Sequence, residues 1–117
     1  MKHSKYYVCP VCGNFVLSTG DAEISCCGKK LMPLETQKAE ENEKLCVQTI
    51  EDEWFITSDH PMEKGHYLSF LVFATGDKIQ IIKQYPEWQL QVRIPKHGFG
   101  TLYWYCTSHG LFYQLLR

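Results

Sequence analysis

The chain has 117 residues, a formal net charge of −1 and 44% hydrophobic residues, including 7 Tyr, 6 Phe and 3 Trp. That length fits one ordinary domain, or a very small module joined to a larger one. There is no basic run, no acidic tail and no apolar stretch near the roughly 18 residues that span a bilayer, so nothing points to nucleic acid or a membrane. The first ten residues, MKHSKYYVCP, lack the apolar centre of a signal peptide, and a cytoplasmic protein is expected. Thiols stay reduced in the cytosol, so the six cysteines suggest metal binding rather than a disulfide framework.

In chain order, residues 1–36 form a first module, with YYVCPVCGNFVLS, a Gly20-Asp21 turn and EISCCGKKLMPL. A segment this short cannot build a sufficient core and normally needs a metal or disulfides to fold. Gly13 and Gly28 each follow a cysteine pair, where the chain must turn back so that backbone N–H groups face the sulfurs; glycine permits the positive φ required. Residues 37–44 are polar, charged and free of aromatics, and are expected to be a linker with a helical turn. Residues 45–117 hold about seven short segments rich in β-branched and aromatic residues: CVQTI, WFITS, YLSFLVFA, KIQIIKQY, QLQVRI, TLYWYC and LFYQLL. Turn signals such as Glu51-Asp52, Asp59-His60-Pro61, Gly76-Asp77, Pro86 and Lys96-His97-Gly98 separate them. The chain is expected to be mainly β, with a metal knuckle followed by a seven-stranded antiparallel sandwich or small barrel of immunoglobulin-like type.

Two sets of candidate ligands stand out. Cys9 and Cys12 place two thiolates on one tight turn, and Cys26 and Cys27 supply two more; four sulfurs suit Zn²⁺ or a single iron. Adjacent cysteines force unequal angles at the metal, a distortion that iron tolerates but that brings no obvious benefit to structural zinc. Spacing alone leaves a zinc ribbon and an iron centre both open. The second set is His60 and His66 in HPMEKGHY, with Cys106 and His109 in CTSHG. A lone histidine in a β protein is usually surface or satisfied core, but four His and Cys residues in two compact loops point to a metal.

YVCPVCGN followed by SCCGKKL resembles desulforedoxin, the Fe(Cys)₄ module of the desulfoferrodoxin family, over residues 5–34. The motifs HPMEKGHY and CTSHG resemble those of the superoxide reductase domain of the same family, and this likeness runs from Glu43 to Leu111. The resemblance implies a rubredoxin-like iron centre on Cys9, Cys12, Cys26 and Cys27. It also implies a second, non-haem iron with His60, His66 and His109 as equatorial ligands and Cys106 as the axial thiolate. The implied activity is one-electron reduction of superoxide to hydrogen peroxide, with a rubredoxin-like protein as electron donor and a homodimer as the assembly. A thiolate opposite the open position favours electron transfer to superoxide.

The family's remaining histidine belongs to a Glu-Lys-His motif, where this chain reads Glu43-Lys44-Leu45. By this correspondence Glu43 is the carboxylate that caps the oxidised iron, Lys44 steers superoxide inward, and Leu45 stands where the fourth histidine belongs. Cys46 could substitute only through a one-residue slip, which turns a strand side chain to the opposite face; His3 and His97 are otherwise unassigned. Three His and one Cys also make a closed tetrahedral set for Zn²⁺. The alternatives to a reductase are therefore an electron carrier with a degenerate second site and a structural zinc protein.

Overall fold

A computed structural model describes residues 4–96 and 99–116, and the described residues form an all-β structure with no helix. The chain divides into two compact units, at the boundary between Glu35 and Thr36.

The first unit contains two hairpins. β1 (Lys5–Val8) pairs antiparallel with β2 (Phe15–Ser18), and β3 (Ile24–Cys26) with β4 (Lys29–Leu31). Its core is small: Tyr7, Cys9 and Leu31 are buried, with Val16, Ile24 and Cys26 packed against them, and Tyr6 is buried and stacked on Phe15. So few apolar side chains supply little hydrophobic stabilisation, which fits a module dependent on its cysteines.

The second unit is a sandwich of two sheets. β6 (Cys46–Ile50), β7 (Glu53–Thr57) and β10 (Gln91–Pro95) form one sheet in the order β10-β7-β6. The other has the order β5-β12-β11-β8-β9 and contains β5 (Thr36–Lys38), β8 (Leu68–Ala74), β9 (Ile79–Lys83), β11 (Gly100–Cys106) and β12 (Gly110–Leu116). All seven segments expected from the sequence are strands. Period-two alternation explains the packing: Trp54 and Ile56 of β7 and Val92 and Ile94 of β10 turn inward and share one apolar cluster with Leu71, Phe73, Leu102, Trp104 and Phe112 of the facing sheet. Trp54 meets Phe73 edge-on at 5.3 Å between ring centroids.

The expected linker, residues 37–44, begins instead as sheet. Thr36–Lys38 is a strand pairing parallel to Leu111–Tyr113, an eighth strand in this unit. It has no apolar alternation because all three residues are exposed, and so its sequence carried no strand signal. Residues 40–44 then make a turn, with the N–H groups of Glu43 and Lys44 donating to the Glu40 carbonyl at 2.8 and 3.1 Å.

Candidate metal centres

In the first unit, the Cys9 N–H donates to the Asn14 carbonyl and the Gly13 N–H to the Cys9 carbonyl, both at 2.9 Å. Gly13 takes φ of 75°, as its place after the cysteine pair requires. The vicinal pair has a specific geometry. Cys26 ends β3 opposite Lys29, leaving Cys27 and Gly28 as a two-residue hairpin loop with φ of 53° and 76°. Two positive φ values are those of a type I′ turn, whose twist matches the flanking strands. The tight turn, with Cys27 itself left-handed, presents both sulfurs from one hairpin end.

The four sulfurs lie within 4.8 Å of one another. Cys12 Sγ is 3.5 Å from Cys26 Sγ, which is 3.9 Å from Cys27 Sγ. Disulfide bonds need about 2.05 Å, and all six cysteines are free. A tetrahedron with metal–sulfur bonds of about 2.3 Å has edges of about 3.8 Å, and the observed spacings fit it. Backbone N–H groups of Cys12 and Val11 stabilise the Cys9 thiolate and hold its pKa at about 6. The sulfurs of Cys12, Cys9 and Cys26 crowd Cys27 and push it up to about 12. Cys26 is raised by Cys12 and Cys9, against a hydrogen bond from Asn14 Nδ2 at 3.8 Å.

In the second unit, the loop between β7 and β8 carries His60 and His66, while Cys106 ends β11 and His109 sits in the tight connection to β12. Their donor atoms also come within 4.8 Å of one another. The His60 and His66 ring centroids are 4.8 Å apart, those of His66 and His109 5.0 Å, and Cys106 Sγ is 3.4 Å from His109 Nδ1. Each residue is held by its surroundings. The His60 N–H donates to Ser58 Oγ, and its Nδ1 meets the Pro61 carbonyl at 2.7 Å, leaving Nε2 free to ligate. Burial lowers the His60 pKa, as do His66 and His109, against the Pro61 hydrogen bond, and the neutral form that binds metals is favoured. The His66 N–H and carbonyl exchange 3.0 Å hydrogen bonds with Glu63, closing a turn over Lys64-Gly65. The Gln37 amide donates to the His109 carbonyl at 3.1 Å.

His66 Nε2 is buried and has no hydrogen-bond partner among the described residues. An orphaned imidazole nitrogen beside two further imidazoles and a thiol has the chemistry of a ligand, and the residues present fit a metal.

The other expected site residues are not among these donors. The Glu43 carboxylate accepts from the Glu40 N–H at 2.9 Å and belongs to neither donor cluster. Lys44 Nζ pairs with Glu41 at 3.2 Å. Leu45 is buried in the apolar cluster that includes Cys106, and Cys46 is exposed on β6. His3 and His97 lie outside the described residues.

A four-cysteine knuckle followed by a β-sandwich with a three-histidine, one-cysteine cluster defines a protein with two candidate metal centres. No family model matches the chain. It is 32% identical to the desulfoferrodoxin of Desulfarculus baarsii over 116 positions, covering 89% of this chain and 90% of that one. A desulfoferrodoxin homolog of Methanothermobacter thermautotrophicus is 24% identical over 122 positions, covering 94% and 97%. The match to the desulfoferrodoxin of Clostridium acetobutylicum is shorter, 28% over 53 residues, and spans 42% of that protein. The fold matches the crystal structure of the superoxide reductase from Treponema pallidum with a TM-score of 0.83 and 15% identity, over 97% of this chain and 99% of that one. The chain belongs to the desulfoferrodoxin and superoxide reductase family.

Proposed function

We propose that this protein is a superoxide reductase with two iron centres, consuming one electron and two protons per superoxide and releasing hydrogen peroxide. The observation that carries this reading is the convergence of His60, His66, His109 and Cys106 around the unpartnered Nε2 of His66. These four residues would hold the catalytic iron, and Cys9, Cys12, Cys26 and Cys27 a second iron in the N-terminal module. When bound with a thiolate ligand, iron supplies one-electron chemistry at a potential set by that thiolate. No second superoxide is oxidised, so a rubredoxin-like donor supplies the electron. The division of labour follows the two units: the one ending at Glu35 would hold the first centre, and the one beginning at Thr36 would carry out the reaction.

The protein's own groups set the approach of the anion. Lys44 contributes positive charge that steers superoxide, an effect that salt screens. Its ion pair with Glu41 joins exposed side chains and is weak enough to be left for an incoming anion. Glu43 lies in the same turn and would be the carboxylate available to the metal if it left the Glu40 N–H. Leu45 stands at the place of the family's fourth histidine, so the donor set here is three imidazoles and one thiolate.

The test is the product ratio with iron-loaded protein and a reductant. One peroxide per superoxide consumed, without oxygen release, is expected; one peroxide per two superoxides with oxygen would mean dismutation and overturn the reading. Cys106→Ser should abolish superoxide reduction while leaving the absorption of the N-terminal centre unchanged. Full activity in that variant refutes Cys106 as a ligand. Zinc in place of iron in protein from iron-supplemented cells would favour the structural alternative.

A further inference from the structure

We infer that Thr107 is a positioning residue for the His60, His66, Cys106 and His109 cluster, coupling the two loops that carry its donors. The inference rests on the reading of that cluster as a metal centre. The donors come from residues far apart in sequence, and the β8–β11 ladder that brings them together ends at the Cys106–Leu68 pair, where the register shifts. One step further, Thr107 faces Tyr67. The Thr107 N–H donates to the Tyr67 carbonyl at 3.0 Å, as a continued ladder would require. The return bond does not go to a backbone carbonyl; the Tyr67 N–H donates to Thr107 Oγ1 at 3.2 Å. A side-chain hydroxyl thus supplies the second of two bonds across the gap. Thr107 directly follows Cys106 and Tyr67 directly follows His66, so this clamp lies one residue from a donor on each side. It is solvent-exposed, and water can replace it with little effect on folding. Donor spacing is less forgiving, because partners that orient ligands typically change metal affinity by about 10–100-fold when removed.

The experiment is Co²⁺ titration of the metal-free full chain, comparing wild type with Thr107→Val, Thr107→Ala and Thr107→Ser. The second-site signal is the part of the thiolate-to-cobalt absorption that Cys106→Ser removes. The Val and Ala variants should bind this second Co²⁺ about ten-fold more weakly, with the cobalt spectrum of the N-terminal site unchanged and similar thermal unfolding of the metal-free protein. The Ser variant, which keeps the hydroxyl, should bind as wild type does. Wild-type affinity in both the Val and Ala variants would overturn the inference alone, and so would a Ser variant as weak as Val. If wild type shows no Cys106-dependent band at all, the metal-centre reading fails and this inference fails with it.

Discussion

Gln114 is a buried amide within an apolar strand, and Gln114→Met should be costly. Its side chain faces inward from β12 and clamps the backbone of Leu45 at both ends. Gln114 Oε1 accepts from the Leu45 N–H at 2.8 Å, and Gln114 Nε2 donates to the Leu45 carbonyl at 3.4 Å. Methionine preserves length and approximate volume but removes both partners. The Leu45 N–H would then be a buried orphan donor, at about 1–3 kcal/mol; the longer bond adds at the low end, and a buried thioether in place of an amide recovers part. The net loss is about 2 kcal/mol, or a fall in Tm of roughly 10 °C for a unit of this size. Trp54, Trp88 and Trp104 all lie in the second unit, so their fluorescence follows its unfolding. Hydrogen exchange at the Leu45 amide provides a local readout. A Tm within about 2 °C of wild type, with the Leu45 amide still protected, would refute the claim that this amide anchors the chain after Glu43 and Lys44.

Leu45→His should increase metal binding at the second site by supplying a fourth imidazole. It should also destabilise the metal-free protein by about 2–4 kcal/mol, because it replaces a buried apolar side chain with a polar one. Metal content and unfolding with and without metal check both halves, and unchanged metal content would remove Leu45 from the ligand position. At the N-terminal centre, Cys26 and Cys27 are held above the ordinary thiol pKa, Cys27 at about 12, and must lose protons when a divalent metal binds. Protons compete with the metal, so affinity rises with pH, by at least about two decades per unit near pH 7. A Zn²⁺ or Co²⁺ titration across pH 6–8 with a slope of one decade or less would contradict the four-thiolate assignment.

What the sequence revealed depended on how local each signal was. The strands of the sandwich were legible because Trp54 and Ile56, or Val92 and Ile94, alternate with half-buried or exposed neighbours. Both donor sets were legible because their residue types cluster at ligand spacings along the chain. β5 was not, since Thr36, Gln37 and Lys38 carry no apolar pattern and are strand only through parallel pairing with β12. Gln114 was hidden for the opposite reason: an apolar run disguised a polar side chain whose partner lies 69 residues away. Thr107 looked like loop filler between Cys106 and His109, and its role depends on Tyr67 across the sheet. Glu43 and Lys44 entered by resemblance, and their contacts with Glu40 and Glu41 are products of a turn that composition alone does not specify.

The second donor set also depends on a local irregularity that spacing could not reveal. Along β11, Leu102, Trp104 and Cys106 share the inward face, which brings the thiol to the edge of the core. On β8, Leu71 and Phe73 face the same core, so strict alternation would send Ser69 inward and turn Leu68 outward. The register shift between Tyr105 and Cys106 reverses that parity: Tyr105 pairs with Phe70, but Cys106 pairs with Leu68. Leu68 is consequently fully buried in the core cluster. Two residues earlier, on the same side by period two, is His66 with its buried Nε2. A bulge that redirects a side chain at a sheet end is a common device beside functional sites. Here it lies between Cys106 and the loop that carries His66. Cys106 and His109 can be placed from the CTSHG motif alone, whereas His66 reaches them from a separate loop, held there by its bridge to Glu63 next to the skipped ladder step.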